Sequence, residues 1–290
     1  MQETNLYSKI IAGTMTWGSW GKQLSKPQMI DLMNYCLEIG ITTFDHADIY
    51  GDYSMEKDFG AAFGESGIER SKIQLISKCG IQMTSGRNNA VAHYQYDAAY
   101  IIWSAEQSLK KLKTEYLDLL LIHRPSPLMV ADEIAEAIQK LKADGKIKEF
   151  GVSNFTPSQI AMLETKIPVS INQVEFSLTH DIPMYDGTFD DCLANNRIAM
   201  AWSPLGNFFR AENDRNTRIK NVLKDLEKKY DANTSQLILA FIMNHPAKVF
   251  PVVGTTSKQR LKDSLNATNI NLELQDWFIL LEASKGEPVP

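Results

Sequence analysis

Seven short apolar runs along the chain each end at a residue that is suited to catalysis or ligand binding. The residues that follow the runs are Asp45, Lys78, His123, Ser153, Gln173, Trp202 and Gly254. Runs rich in Val, Ile and Leu without apolar–polar alternation are typical of strands that are buried on both faces of a sheet. Helix-like stretches lie between the runs, and this strict succession predicts parallel βαβ units.

Helical spacing of apolar residues and the residues at segment ends predict the helices. One helix spans residues 26–39, with Pro27 in its first turn and Gly40 after its end. Three more helices are predicted over residues 97–112, 130–141 and 258–267, and a further helix is predicted to begin at Thr156-Pro157. Eight strand–helix units close a barrel. We therefore predict an α/β fold, a (β/α)8 TIM barrel that forms a single domain over residues 1–290, with the active site at the C-terminal ends of its strands.

Two segments exceed the minimal repeat. A polar stretch near residues 80–97 follows the third strand, and a charged stretch near residues 206–216 follows the seventh. Long loops at the catalytic end of a barrel commonly shape the substrate site. We predict that both are inserted loops with this role.

Composition narrows the class of protein. The chain is 44% hydrophobic and 22% charged, and its net charge of −5 argues against a nucleic-acid surface. Residues 1–9 lack the apolar core of a signal peptide, and the longest apolar stretch, residues 237–243, is too short to span a bilayer. The three cysteines share no metal or redox spacing. We predict a soluble cytoplasmic protein with no membrane, nucleic-acid or obligate protein partner.

Four residues form a candidate proton-donor group. Asp45, Tyr50, Lys78 and His123 lie at or just beyond the ends of three consecutive predicted strands. Adjacent strands are about 5 Å apart, so these side chains could meet. The pKa of a free phenol is about 10, and a nearby ammonium lowers it, while an aspartate keeps the lysine charged. We predict that Tyr50 donates a proton to a carbonyl oxygen, that Lys78 and Asp45 tune it, and that His123 orients the substrate.

A proton donor of this kind reduces a carbonyl only beside a hydride source. Gln173, Ser153 and Asn154 offer amide and hydroxyl groups that could hold a carboxamide, and Trp202 offers a flat face for stacking a planar ring. These residues predict a nicotinamide site beside the catalytic group.

The last predicted strand leads into a candidate phosphate site. The sequence Gly254-Thr255-Thr256-Ser257 precedes the predicted helix at 258–267. A helix N-terminus binds phosphate through its free N–H groups and dipole. Lys258 and Arg260 add positive charge, and an arginine can bind phosphate through two hydrogen bonds.

Six motifs, taken together and in this order, resemble those of the aldo-keto reductase family, and the resemblance covers essentially the whole chain. They are FDHADIYG at 44–51, ISK at 76–78, LLLIHRP at 119–125, GVSNF at 151–155, NQVE at 172–175 and AWSPLG at 201–206. The chain is similar to bacterial-type NADP-dependent members. The resemblance implies a barrel that binds NADPH in extended form without a Rossmann fold, and no Gly-x-Gly-x-x-Gly follows a strand here.

The resemblance also implies residue roles. It gives Tyr50 as the acid/base beside Asp45, Lys78 and His123, and it implies cofactor contacts at Thr14, Met15, Ser153, Asn154, Gln173, Trp202, Ser203, Leu205, Gly254, Thr255, Thr256, Arg260 and Asp263. Among these, Arg260 would bind the 2′-phosphate and Asp263 the adenine. The substrate-pocket candidates are Trp17, Tyr53 and Arg124, with Trp20 and Tyr94 as further aromatic candidates, and ordinary packing is the alternative for each.

One departure and two alternatives bear on function. Gly254 stands where many family members carry a lysine, so Arg260 is the main expected 2′-phosphate ligand and NADH is an alternative to NADPH. His46 and Asp48 could suggest a metal-dependent hydrolase, but strand alternation points Asp45 and His46 in opposite directions, and we predict no metal. We predict an enzyme that reduces aldehyde or ketone carbonyls to alcohols with hydride from NADPH and a proton from Tyr50. A nucleotide-binding, redox-sensing accessory subunit with little turnover is the alternative.

Overall fold

A computed structural model describes residues 6–288, and these residues form a closed barrel of eight parallel strands. Two further short strands, β4 and β5, lie outside the barrel. In chain order the strands of the described residues are β1 (Ile11–Gly13), β2 (Thr43–Asp45), β3 (Gln74–Cys79), β4 (Ile81–Gln82), β5 (His93–Tyr94), β6 (Leu117–Ile122), β7 (Ile147–Ser153), β8 (Ile171–Glu175), β9 (Ile198–Trp202) and β10 (Phe250–Val253). The barrel order is β1-β10-β9-β8-β7-β6-β3-β2, and β4 pairs only with β5. The predicted barrel is confirmed.

Helices surround the barrel. They are α1 (Lys26–Glu38), α2 (Tyr50–Tyr53), α3 (Met55–Phe63), α4 (Ala98–Leu112), α5 (Ala131–Ala143), α6 (Pro157–Glu164), α7 (Thr188–Ala194), α8 (Asp214–Tyr230), α9 (Thr234–Met243), α10 (Lys258–Asn266) and α11 (Leu274–Lys285). The predicted end signals act as expected, since Gly40 follows the end of α1 with a φ of 89° and the Thr156 side chain accepts the backbone N–H group of Gln159. Asp97, the first residue of the predicted helix, instead caps α4 by accepting the Tyr100 N–H. None of these helices is long and apolar enough to cross a membrane.

The core has two layers. The larger one fills the space between strands and helices. The smaller one lies inside the barrel and includes Tyr7, Ile76, Leu121, Ile171 and Met200. The barrel is therefore packed with side chains and is not a pore, as an eight-stranded barrel requires.

The inner core also determines which side chains face the mouth of the barrel. Because alternate residues of a strand point to the same side, the residues two positions after inner-core residues also point inward, and they lie at the carboxyl ends of the strands. The pairs are Ile76 with Lys78, Leu121 with His123, Ile171 with Gln173, and Met200 with Trp202. Strand periodicity thus brings these four residues to one rim.

The segment near residues 80–97 is a hairpin and not only a loop. Strands β4 and β5 pair antiparallel, with Ile81 opposite Tyr94. The segment is attached to the turn after Tyr50, because the Met83 N–H donates to the Tyr53 hydroxyl at 2.9 Å and Ser85 Oγ donates to Asp52 Oδ1 at 2.7 Å. These contacts hold the hairpin at the catalytic end of the barrel.

The segment near residues 206–216 is shorter as a loop than the sequence suggested. Helix α8 already begins at Asp214, and Asn213 caps it by accepting the Asn216 N–H. Asn216 is fully buried, and its amide nitrogen donates to Ala211 O at 2.7 Å. This buried amide holds the turn against the helix, which is why residues 214–216 are helical.

Candidate catalytic and cofactor site

Lys78 lies at the centre of a buried polar group at the mouth. Its ammonium donates to Asp45 Oδ2 at 2.6 Å, to the His46 carbonyl oxygen at 2.8 Å and to the Tyr50 hydroxyl at 3.2 Å. Lys78 is 1% exposed and Asp45 is 2% exposed. All three N–H bonds of the ammonium are used, so its position is fixed. Residues from two strands and the turn that follows β2 meet as the sequence indicated.

The protonation of Lys78 and Tyr50 follows from burial and from their mutual contact. Burial disfavours the charged lysine, but Asp45 and Tyr50 more than offset this effect, so the pKa of Lys78 is raised. Burial also raises the pKa of Tyr50 above its ordinary value, against the opposing charge of Lys78. The expectation that the phenol is acidified overall is therefore wrong, because desolvation outweighs the ammonium. At neutral pH the phenol carries its proton.

His123 follows β6 and faces Tyr50. The two rings are edge to face with centroids 6.2 Å apart. Burial, together with the positive charges of Lys78 and Arg124, holds the pKa of His123 well below its ordinary value. The imidazole is therefore neutral near pH 7, and within residues 6–288 its buried Nδ1 has no hydrogen-bond partner. A neutral imidazole can donate one hydrogen bond to a substrate oxygen.

His46 and Asp48 lie on the other side of the strand end. The His46 ring packs on Phe59 at 4.3 Å between centroids, its Nδ1 is 2.9 Å from Thr14 Oγ1, and burial lowers its pKa to about 3. Asp48 Oδ2 accepts from Ser104 Oγ at 3.1 Å. In the described part of the chain, no group of three or more His, Cys, Asp or Glu side chains could hold a metal ion.

The side chains expected at the nicotinamide form one hydrogen-bonded chain. Gln173 Nε2 donates to Asp45 Oδ1 at 2.9 Å, and Ser153 Oγ donates to the Gln173 carbonyl oxygen at 2.8 Å. Asn154 Nδ2 donates to Ser153 Oγ at 2.7 Å, and Trp202 Nε1 donates to Asn154 Oδ1 at 3.0 Å. The amide and indole groups are thus linked to Asp45, and the Gln173 amide leaves its Oε1 as the atom able to accept a hydrogen bond from a ligand.

The β10–α10 connection has the features of a phosphate site. Ser257 caps α10 by accepting the Arg260 N–H, and the first turn of a helix leaves further N–H groups free. A Cβ added at Gly254 would meet only Thr16 Oγ1, at 4.0 Å, so the backbone there is open to close approach. Arg260 is exposed, whereas Lys258 is paired with Asp31 at 2.8 Å. Thr255 and Thr256 are half-buried on the path to the helix.

The remaining cofactor candidates differ in exposure. Thr14 is fully buried, and its hydroxyl donates to the Asp45 carbonyl oxygen at 2.9 Å, so its side chain supports the strand end. Met15 is 44% exposed, and Ser203 is exposed with a φ of 50°. Asp263 accepts the Gln259 amide at 2.9 Å. Leu205 is half-buried and packs on the main core.

The substrate-pocket candidates differ in whether they lie in the core, under the hairpin or at the mouth of the barrel. The prediction for Trp17 is wrong, because this residue is 0% exposed and packs against Phe44 and Phe59. Tyr53 is half-buried and supports the hairpin through its hydroxyl. Trp20 lies at the mouth, with its ring centroid 6.2 Å from that of Tyr50 and its Nε1 donating to Asp52.

Arg124 also lies at the mouth, next to Tyr96, a residue that the sequence did not indicate as part of the site. Its guanidinium carbon is 5.1 Å from the centroid of the Trp202 ring. The Tyr96 hydroxyl donates to the Arg124 carbonyl oxygen at 2.5 Å. Tyr96 was not predicted to matter because this contact joins residues 28 positions apart, and no local pattern signals it.

The donor set fits a nicotinamide dinucleotide. Amide groups lie beside the Lys78–Asp45 pair, and a half-buried indole follows them along the rim. An open glycine with a helix N-terminus and an exposed arginine lies beyond. These are the groups that recognise, in order, a carboxamide, a planar ring and phosphate.

The chain is similar to known oxidoreductases over nearly its whole length. Residues 9–284 match the sequence model of the aldo/keto reductase family. Over 98% of its length the chain is 38% identical to YcsN, an uncharacterized oxidoreductase of Bacillus subtilis, and 37% identical to the oxidoreductase YdhF of Escherichia coli, and it covers 96% of each. Over its full length it is 33% identical to a 6-dehydroglucose reductase of Agrobacterium fabrum, all of which it covers.

Solved structures show the same barrel. A thermostable aldo-keto reductase, solved with the inhibitor epalrestat, is 25% identical and superposes with a TM-score of 0.80, over 95% of this chain and 94% of that one. An aldo/keto reductase of Klebsiella pneumoniae, solved with NADP and acetate, is 24% identical with a TM-score of 0.78, over 98% of this chain and 93% of that one.

Proposed function

Because this chain belongs to the aldo/keto reductase family of NAD(P)-dependent oxidoreductases, we propose that it reduces the carbonyl group of aldehydes or ketones to an alcohol with NADPH. The observation that carries the proposal is the contact of the Tyr50 hydroxyl with the Lys78 ammonium at 3.2 Å, beside Asp45 and His123. A protonated phenol next to a buried cation is a proton donor of the kind that carbonyl reduction needs.

The proposed chemistry assigns a task to each of the four residues. NADPH, when bound, supplies the hydride that the carbonyl carbon receives. The Tyr50 hydroxyl donates its proton to the carbonyl oxygen as negative charge develops there. Lys78 stabilises the phenolate that remains, and Asp45 holds Lys78 in place and charged. His123, which is neutral, orients the carbonyl oxygen through a hydrogen bond. The raised pKa of Tyr50 keeps the donor protonated at neutral pH, which favours the direction of reduction.

The proposed cofactor contacts follow the rim of the barrel. Gln173, Asn154 and Ser153 would hold the carboxamide, and Trp202 would stack on the ring. The start of α10, with Arg260, would bind phosphate. Arg260 is exposed and Lys258 is held by Asp31, which leaves Arg260 as the better-placed cation for a 2′-phosphate. This supports NADPH over NADH.

Replacing the phenol tests the proposal. Tyr50→Phe removes the proton donor and should reduce kcat for an aldehyde panel by about 10²- to 10⁴-fold. The affinity for NADPH, measured by quenching of tryptophan fluorescence, should stay within about threefold, a change of less than about 0.7 kcal/mol. Tyr116→Phe is the matched control, because Tyr116 precedes β6 at the opposite end of the barrel.

Two results would contradict this function. Unchanged turnover in Tyr50→Phe would show that another group donates the proton. Tight NADPH binding by the unaltered protein, with negligible turnover of every aldehyde and ketone in the panel, would favour the nucleotide-sensing alternative.

A further inference from the structure

Arg124 differs from the other arginines that are at least half-buried, because the guanidinium of each of those has a hydrogen-bond partner. Arg87 donates to the neutral Gln82 side chain, and Arg218 donates to the Ala283 carbonyl oxygen. Arg70 pairs with Asp118 at 2.7 Å, and Arg197 pairs with Glu164 at 2.7 Å. Arg124 is half-buried, yet no side chain in residues 6–288 forms an ion pair or hydrogen bond with its guanidinium; its recorded side-chain contact is the Trp202 ring. Withdrawing a charge from water without a partner is costly. Because the guanidinium is partly accessible and has no anionic partner in the described chain, an anionic group from outside the chain can reach it and would offset this cost.

The charge lies beside the proposed reaction centre. Arg124 is the residue after His123, and its guanidinium carbon is 5.1 Å from the Trp202 ring centroid. Its positive charge contributes to the low pKa of His123 and opposes the raised pKa of Tyr50. A group bound by Arg124 would therefore be part of a substrate whose carbonyl lies between Tyr50 and His123.

The acidic residues around the mouth are already engaged. Both Asp45 oxygens accept hydrogen bonds, one from Lys78 and one from Gln173. Both Asp52 oxygens accept as well, from Trp20 and Ser85. Asp52 keeps its negative charge because Trp20 and Ser85 are neutral, but it forms no ion pair with Arg124. Since Asp45 is paired with Lys78, the Arg124 guanidinium has no carboxylate partner within residues 6–288.

The backbone of Arg124 is held in place. The Tyr96 hydroxyl donates to its carbonyl oxygen, and the Tyr96 ring is nearly parallel to that of Tyr94 at 6.3 Å. Pro125 follows and restricts the chain further. Tyr96, which follows the β4–β5 hairpin, therefore fixes the backbone of Arg124 on the rim, and this restricts the positions open to the side chain, which favours preorganised recognition of an anion.

We propose that Arg124 determines substrate specificity by binding an anionic group, a carboxylate or a phosphate, that the carbonyl substrate carries apart from its reacting carbonyl. The inference rests on the proposed carbonyl reduction and adds the substrate class. Arginine suits this role because its planar fork matches the oxygens of both groups.

Matched substrate pairs test the proposal with the whole protein and NADPH. Succinic semialdehyde is compared with butanal, and glyceraldehyde 3-phosphate with glyceraldehyde, so that the two arms distinguish carboxylate from phosphate. For at least one pair, the unaltered protein should show the higher kcat/KM for the anionic member. In Arg124→Met the ratio of anionic to neutral kcat/KM should fall about 10- to 100-fold, the range for a charge-assisted contact. Arg124→Lys should keep part of the preference.

Lys142→Met is the control for loss of one positive charge. Lys142 is half-buried in the last turn of α5, which precedes the start of β7 at the end of the barrel away from the mouth. This variant should keep the substrate ratios of the unaltered protein. If Arg124→Met lowers kcat/KM equally for charged and neutral substrates, Arg124 acts on the reaction or on Trp202 and not on specificity, and the proposal is overturned.

A binding measurement separates this proposal from the proposed function. The dissociation constant of benzoate, an unreactive carboxylate, is measured by tryptophan fluorescence with and without NADP⁺. Arg124→Met should weaken benzoate binding at least tenfold. Equal affinity in both proteins overturns the role of Arg124 even if carbonyls are reduced. A selective loss supports the anion site even if every carbonyl in the panel is inert.

Discussion

The buried pair of Lys78 and Asp45 gives the sharpest stability prediction. In Asp45→Asn the ammonium stays buried and loses its counter-charge. At 2.6 Å the pair attraction is about 6 kcal/mol for an effective dielectric constant of 20. Asn also offers one acceptor where Asp45 now accepts two hydrogen bonds, so either Lys78 or Gln173 loses a partner, which adds about 1–3 kcal/mol. The unpaired lysine can release its proton, however, and this limits the loss.

The loss of stability in Asp45→Asn depends on pH, because proton release from Lys78 depends on pH. Releasing the proton of a lysine at pH 7 costs about 4–5 kcal/mol, since its free pKa is about 10.4 and each unit is worth 1.36 kcal/mol. We therefore expect Asp45→Asn to lower the free energy of unfolding by about 3–5 kcal/mol at pH 7. In the variant the pKa of Lys78 falls below that of the unfolded chain, so the variant gains stability as pH rises. The unaltered protein has a raised Lys78 pKa and shows no such gain. The difference in the free energy of unfolding between the unaltered protein and Asp45→Asn should therefore shrink by about 1.4 kcal/mol for each unit of pH increase.

Urea unfolding of both proteins at pH 7 and pH 9, followed by tryptophan fluorescence, measures the effect. Asp118→Asn is the matched control, because Asp118 is equally buried and pairs with the guanidinium of Arg70 and with the exposed Lys148, so that the buried cation is an arginine and not a lysine. Its loss should be similar at both pH values. A loss below about 1 kcal/mol for Asp45→Asn at pH 7, or an equal loss at pH 9, would refute the account of Lys78 as a buried, charge-compensated lysine.

Two further predictions concern the cofactor and the pH dependence of stability. Arg260→Ala should weaken NADPH binding by about 2–3 kcal/mol and NADH binding much less, because only NADPH carries the 2′-phosphate. Fluorescence titration with both cofactors measures the effect, with Lys262→Ala as the control for loss of a positive charge on the same helix. Equal losses of NADPH and NADH affinity would show that Arg260 does not bind the 2′-phosphate. Burial, aided by the charge of Glu56, raises the pKa of Asp48 from 3.8 to about 7, so its ionisation costs the folded protein stability as pH rises from about 4 to about 7. Asp48→Asn should therefore gain up to about 4 kcal/mol relative to the unaltered protein between pH 4 and pH 8 in urea unfolding, whereas the exposed Asp58→Asn should show no such trend.

Much of the architecture could be predicted because its signals are local. Apolar runs without alternation identified the barrel strands, and Pro27 and Thr156-Pro157 identified helix starts. The rim residues were predictable for the same reason, since the side chain two positions beyond an inner-core residue must face the mouth. Lys78, His123 and Gln173 all follow this rule.

Other features depended on burial that no local pattern reveals. Trp17 and Trp20 are three residues apart and both aromatic, yet one is enclosed by Phe44 and Phe59 and the other lies at the mouth. The sign of the pKa shift of Tyr50 was also missed. The sequence shows that an ammonium is near, but the cost of desolvating a phenolate depends on how completely the surrounding chain excludes water.

By itself, then, the sequence determined the barrel, the order of its elements and the set of side chains around the mouth, because periodicity and capping act over a few residues. Only the tertiary structure decided which of these side chains bind one another. Gln173 and Asp45 are 128 positions apart and share a hydrogen bond, and Arg124 has no anionic partner in the described chain. Partners and charge balance depend on distances and solvent exclusion that exist only after the strands have closed into a barrel.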